Sequence, residues 1–92
     1  MLRKGGAQIR TTPMHGLIQH IVVSPSHVDT VWSMDILDRD NDLIYTRRDC
    51  EGRLDDKEGL PVGRDKPECL DIILYDATAN EKFNVMFKVK DR

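Results

Sequence analysis

From Lys82 to Lys90 the chain alternates almost without error. Phe83, Val85, Phe87 and Val89 fall on one face of an extended backbone, and Lys82, Asn84, Met86, Lys88 and Lys90 fall on the other. This is the period of two that marks a half-buried strand, and a helix would scatter the same apolar residues around its circumference. Leu70, Ile72 and Leu74 alternate in the same way with Asp71, Ile73 and Tyr75. The short polar run from Asp76 to Glu81 between the two arms makes them read as a C-terminal hairpin.

Such a hairpin cannot stand alone. Burying each of the four apolar residues of the last arm gives roughly 1.5–3 kcal/mol, whereas ordering its backbone costs about 1–2 kcal/mol per residue. A second apolar layer is therefore required, and the sequence offers one in Trp32, Met34 and Ile36, which share a face opposite Ser33 and Asp35. Further strands are expected over Leu17 to Val23, ending at Ser24-Pro25-Ser26, and over Leu43 to Arg47. Between Leu37 and Leu43 the run Asp38-Arg39-Asp40-Asn41-Asp42 is a turn by composition, because Asp and Asn side chains bond nearby backbone groups and tolerate left-handed dihedrals. A short edge strand is expected near Arg53-Leu54, and a charged loop from Gly63 to Glu68.

These elements predict an all-β fold, an immunoglobulin-like β-sandwich of six or seven short antiparallel strands whose two sheets pack about 10 Å apart. A small open barrel is the alternative. With 92 residues there is room for one domain, burying roughly 60–65 % of the surface its unfolded chain exposes. Residues 14–92 are assigned to the sandwich and residues 1–13, with Gly5-Gly6, Thr11-Thr12 and Pro13, to an extended basic arm.

Charge is distributed unevenly. The net charge is only −2, but residues 1–28 contain three of the 14 basic side chains (Arg3, Lys4 and Arg10) and none of the 16 acidic ones. A basic leader thus precedes an acidic body, an asymmetry that can steer like subunits together or dock the leader on an acidic surface. The acidic body argues against nucleic acid as a partner. No apolar run approaches the length of a membrane span and no secretory segment is recognisable, so the expectation is a soluble, cytosolically made protein. Cys50 and Cys69 form no CxxC pair and are expected to be reduced thiols.

Signatures of chemistry are absent. The serines (Ser24, Ser26 and Ser33) lie in no nucleophile elbow, and there is no phosphate loop or dinucleotide fingerprint. His15, His20 and His27 match no zinc spacing. Asp38, Asp40 and Asp42 imitate the first half of a calcium loop, but Leu43 and Asp49 stand where such a loop needs its glycine and its bidentate glutamate. They are the sole metal-ligand candidates, a solvated hairpin tip is the simpler reading, and no cofactor and no enzyme activity are expected. On the outward faces Ile73, Tyr75 and Met86 are apolar where polar residues are usual. Together with Arg3, Lys4, Ile9 and Arg10 of the arm they are the candidate protein-contact residues.

The stretch from Trp32 to Val89 resembles small β-sandwich structural proteins of tailed bacteriophages. The resemblance is carried by the Asp-rich turn with Ile44-Tyr45, by Gly52, and by Asp76-Ala77-Thr78-Ala79-Asn80-Glu81-Lys82-Phe83 before the last strand. The loop from Asp55 to Lys66 is longer and more charged than the resemblance would suggest. What it implies is a non-enzymatic virion component, a capsid decoration or cement protein. Such a protein is made in the host cytoplasm, is present in many copies on the virion, and is partnered by other copies of itself and by a capsid or other virion protein. An immunoglobulin-like adhesion or carbohydrate-binding module, and a small inhibitor of a host protein, are the alternatives.

Overall fold

The computed structural model describes residues 7–76 and 81–90. Seven strands follow one another, with no helix among the described residues: β1 (Ala7–Arg10), β2 (Gly16–Pro25), β3 (Val31–Leu37), β4 (Leu43–Glu51), β5 (Leu54–Val62), β6 (Asp71–Asp76) and β7 (Phe83–Lys90). They form two sheets, ordered β1-β6-β3-β4 and β5-β2-β7, in which every ladder is antiparallel. The all-β sandwich anticipated from alternation is the fold. Two of its pairs, β3 with β6 and β2 with β5, are those an immunoglobulin sandwich makes between strands C and F and between B and E. The terminal strands are placed differently, β1 beside β6 and β7 beside β2.

The expected C-terminal hairpin does not form. β6 lies between β1 and β3 in one sheet, while β7 is an edge strand of the other, so the chain crosses between sheets after Asp76. Burial explains the separation. Ile72 and Leu74 of β6 are almost completely enclosed, which suits a central strand, whereas Phe83, Val85, Phe87 and Val89 face the core from an edge and stay half-buried. Alternation fixes which face of a strand is apolar but is silent about its neighbour.

Eleven buried apolar residues make the core: Ile18, Ile21 and Val23 from β2; Trp32, Met34 and Ile36 from β3; Ile72 and Leu74 from β6; and Tyr45, Val62 and Leu70. None comes from β1 or β7. Ile18 and Ile21 lie three residues apart yet both face inward, because the register of β2 shifts between Ile18 and His20 in both of its ladders. The described part of the expected arm is also in the sandwich: Ala7–Arg10 pairs with β6, and Ile9 packs on the core. β5 is a nine-residue edge strand, much longer than the short one expected near Arg53-Leu54.

Two corners fix the frame. At the β4–β5 corner the Trp32 indole N–H donates to the Gly52 carbonyl at 2.8 Å, and the Gly52 N–H donates to Thr30 O at 3.0 Å. Gly52 has φ +70°, and a Cβ there would lie 2.7 Å from the Val28 carbonyl oxygen, so glycine is required. At the opposite end Met14 and Glu68 exchange backbone hydrogen bonds of 2.8 and 2.9 Å. The Glu68 carboxylate accepts from Gly63 N at 2.7 Å and from Arg39 N at 3.1 Å, tying three loops together.

Candidate functional site

Five side-chain groupings could carry chemistry or contact, and each is set by the strand register. The most enclosed is the Glu81 carboxylate, at the end of the sandwich where β2 turns toward β3. Its side chain has no exposed surface. It accepts from the Ser26 and Thr30 hydroxyls, from Ser26 N at 2.7 Å and from Lys82 N at 3.1 Å, with His27 Nδ1 at 3.2 Å. The hydroxyl bonds from Ser26 and Thr30 hold its pKa down to about 2. Serine, histidine and glutamate thus meet, but not as a relay. Ser26 Oγ and Glu81 Oε1 both face the same ring nitrogen of His27, each at 3.2 Å, whereas nucleophilic activation needs base and orienting acid on opposite nitrogens. What the arrangement does is anchor the start of β7 to the β2–β3 loop.

A second carboxylate closes one side of the sandwich. Asp56 of β5 accepts from the Tyr45 hydroxyl at 2.5 Å and from Arg47 Nε at 3.1 Å, with Arg47 also bonded through its second nitrogen. Burial and the bond to Asp56 raise the Tyr45 pKa, and the bond from Tyr45, joined by Arg47, lowers that of Asp56. The edge strands β4 and β5 are thereby joined across the gap between sheets. Beside this bridge a depression of about 360 Å³ is lined by Leu43, Thr46, Arg47 and Glu58 among others.

On the outer face of the four-stranded sheet, Asp35 accepts from Thr46 Oγ1 at 2.8 Å, Arg48 at 2.9 Å and the Tyr75 hydroxyl at 3.2 Å. The Arg48 guanidinium lies 5.9 Å from the Tyr75 ring centroid. Ile73 flanks this cluster, opposite Asp35 in the ladder. Met86, 58 % exposed, projects from β7 on the outer face of the other sheet. Ile73 and Tyr75 therefore do not share a patch with Met86, as neighbouring strands would have allowed; the two sheets hold them on opposite sides of the molecule. Arg10 is exposed and lies 3.8 Å from Asp71, whereas Arg3 and Lys4 lie outside the described residues.

Carboxylate oxygens of Asp38, Asp40 and Asp42 gather within 4.8 Å of one another. The turn itself accounts for this: Asp38 Oδ1 accepts from Asp40 N at 2.8 Å and Asp42 N at 3.0 Å, with Asn41 at φ +63°. His20 and His27 are apart, on Asp55 and Glu81 respectively, and Cys50 and Cys69 are free thiols. Burial pushes the Cys50 pKa up, the direction of an unreactive thiol.

The fifth grouping is apolar. On the side away from the Asp56 bridge, edges β1 and β7 do not meet, and a groove of about 440 Å³ opens between the sheets. Ile9, Met14 and Ile72 form one wall and Val85, Phe87 and Val89 the other. The polar clusters are internally satisfied, whereas this groove presents apolar surface beside an unpaired strand edge, and it is the candidate site. Sequence reading identified the apolar face of β7 and Ile9 separately; what it missed is that they face each other, since that depends on β1 and β7 joining different sheets. No protein-family model matches the chain, and neither curated proteins nor solved structures give a significant match to it.

Proposed function

We propose that this chain is a non-enzymatic structural protein that binds a larger assembly through the open side of its sandwich, and that the assembly is a virion on which it acts as a capsid decoration or cement protein. The observation that carries the interaction reading is the asymmetry of the two sides. One is shut by Tyr45, Arg47 and Asp56, and the other leaves an apolar groove of about 440 Å³ between edges that no described strand pairs. A partially uncovered core margin beside a free strand is the kind of surface that protein partners cover. The virion reading rests on the phage-protein resemblance of Trp32 to Val89 and on the separation of a basic leader from an acidic body. In this reading the protein is made in the host cytoplasm, and its partners are copies of itself and a capsid or other virion protein.

The test is compositional and then mutational. Purified particles should contain the chain at a fixed, high copy number, and a chain beginning at Ala7, which keeps β1 but lacks Arg3 and Lys4, should bind stripped particles more weakly with an unchanged fold. Particles lacking the chain would refute the virion assignment. Undiminished binding of the shortened chain would remove the leader from the contact.

A further inference from the structure

We propose that the free edge of β7, together with the groove beside it, takes up an extended strand of a different protein in which apolar residues alternate with acidic ones. This deepens the assembly-binding reading and rests on it. Of the four edges of the sandwich, β4 and β5 are tied to each other through Asp56, and β5 is further protected by the charge of Glu58 on its inner face and by Pro61. Inward charges and prolines are what keep an edge strand from accepting another. β1 offers four described residues. β7 offers eight, with no proline, no charge on its inner face and, among the described residues, no partner on its outer edge.

A strand laid along β7 would present its side chains alternately to two environments. On the inner side they would enter the groove against Val85, Phe87 and Val89. On the outer side they would stand beside Lys88 and Lys90, both exposed and in no ion pair. Their neighbours across the existing ladder, His20 and Leu17, supply no negative charge. Opposite charges in adjacent strand positions are stabilising and like charges are not, so the complement of this edge is apolar facing in and acidic facing out.

That requirement selects among occupants. No described strand of this chain alternates apolar with acidic residues. Two β7 edges paired antiparallel would gather Lys88 and Lys90 of both copies on one face, opposite Met86 and Asn84, with no acidic side chain among them to offset the charge, and the leader segment with Arg3 and Lys4 would bring further positive charge to the same place. The occupant is therefore a segment of another protein.

The probe is an eight-residue peptide of alternating valine and glutamate, matching β7 in length, titrated into the isotopically labelled full chain and followed by amide chemical shifts. The expected result is saturable shifts concentrated in β7 and in residues 7–14. Binding should weaken about tenfold in the K88E/K90E double variant and for an alternating valine–lysine peptide, and fall further with added salt. A Thr12→Trp substitution, which fills the groove from an exposed position, should abolish it. Shifts centred on β4 and β5, equal affinity for the two peptides, or no binding at all would each overturn the proposal, as would a dimer formed through β7. Cosedimentation with particles separates the two levels. If K88E/K90E still binds particles as wild type does, the edge inference falls and the assembly reading stands. If the wild type fails to bind them, the assembly reading falls while the peptide titration still decides the edge.

Discussion

Gly63 is the position at which a single methyl group should do the most damage, and Gly59, four residues earlier, is its internal control. Gly63 has φ +65°, and a Cβ built there lies 2.4 Å from the Met14 carbonyl oxygen, 2.9 Å from His15 Cα and 3.0 Å from the Lys66 carbonyl oxygen. Adopting the left-handed region costs an L-residue about 1–2 kcal/mol. The clashing atoms are all backbone, so relief requires moving a loop that is held by the Met14–Glu68 pair and by the 2.7 Å bond from Gly63 N to the Glu68 carboxylate. Weakening a hydrogen bond to a charged acceptor costs about 1.5–3 kcal/mol. Against these, alanine stiffens the unfolded chain by about 0.4–1 kcal/mol. The net for Gly63→Ala is about 2–4 kcal/mol of destabilisation, which lowers the melting temperature by at least about 8 °C in a domain of this size. Gly59 lies in exposed β5 with nothing within 4 Å of its would-be Cβ. Gly59→Ala should therefore gain the unfolded-state term alone and melt a few degrees higher. Thermal and urea melts of the two variants beside the parent decide it. A Gly63→Ala protein melting within a degree or two of the parent, or below which Gly59→Ala melts, would refute the loop-knot argument.

Other consequences follow from the same contacts. Because the Glu81 pKa falls from 4.5 to about 2 on folding, its contribution is complete above the higher value and is lost as pH drops through the lower one. Glu81→Gln should therefore flatten the acid limb of a melting-temperature profile across that window, and parallel profiles would contradict it. Tyr45→Phe removes one of the donors to Asp56 and should cost about 1 kcal/mol, read as a drop of about 4–8 °C; an unchanged melt would mean that Arg47 alone holds the β4–β5 gap. A chain starting at Ala7 should melt with the full chain, whereas one starting at Met14 loses β1 and the Ile9 contact and should be less stable by about 1–2 kcal/mol, measured by urea titration. Amides of central strands β2, β3 and β6 should exchange with solvent far more slowly than those on the free edge of β7; uniform protection, measured by NMR or mass spectrometry, would argue that the edge is already covered.

What the sequence revealed was local, and what it concealed was long-range. The β3–β4 hairpin is written in consecutive residues: an alternating arm, an Asp-rich turn whose first side chain caps two backbone N–H groups, at Asp40 and Asp42, and a return arm that opens on Leu43-Ile44-Tyr45. β5 was underestimated because Asp55-Asp56-Lys57-Glu58 reads as a break. In the sandwich Asp56 faces inward and is neutralised by Tyr45 and Arg47, which no spacing rule connects to it. Glu81 looks like a turn residue for the same reason, since the side chains that satisfy it, on Ser26 and Thr30, lie more than 50 positions away. The separation of β6 from β7 is the clearest case: a six-residue link between alternating strands suits a hairpin, but Ile72 and Leu74 need neighbours on both sides, and β1 and β3 supply them.

The distribution of apolar burial ties the fold to its proposed use. Every fully enclosed apolar side chain among the described residues comes from the interior strands β2, β3 and β6 or from Leu70 just before β6, and β7 contributes none although its four inward residues are Phe, Val, Phe and Val. At about 25 cal/mol per Å² of apolar surface, residues left half-buried retain a substantial part of their transfer free energy for whatever covers them next. The opposite margin keeps less of it, in half-buried Leu54 and Leu60 of β5. There Asp56 and Glu58 replace apolar residues on the inward face of β5, Pro61 interrupts its donors, and Tyr45 and Arg47 lock the gap. A sandwich that had only to fold could have blunted both margins in this way. This chain blunts one, and along the other it keeps eight pairable residues flanked by uncompensated lysines, so the side that costs the monomer stability is the side on which an acidic, alternating strand would restore it.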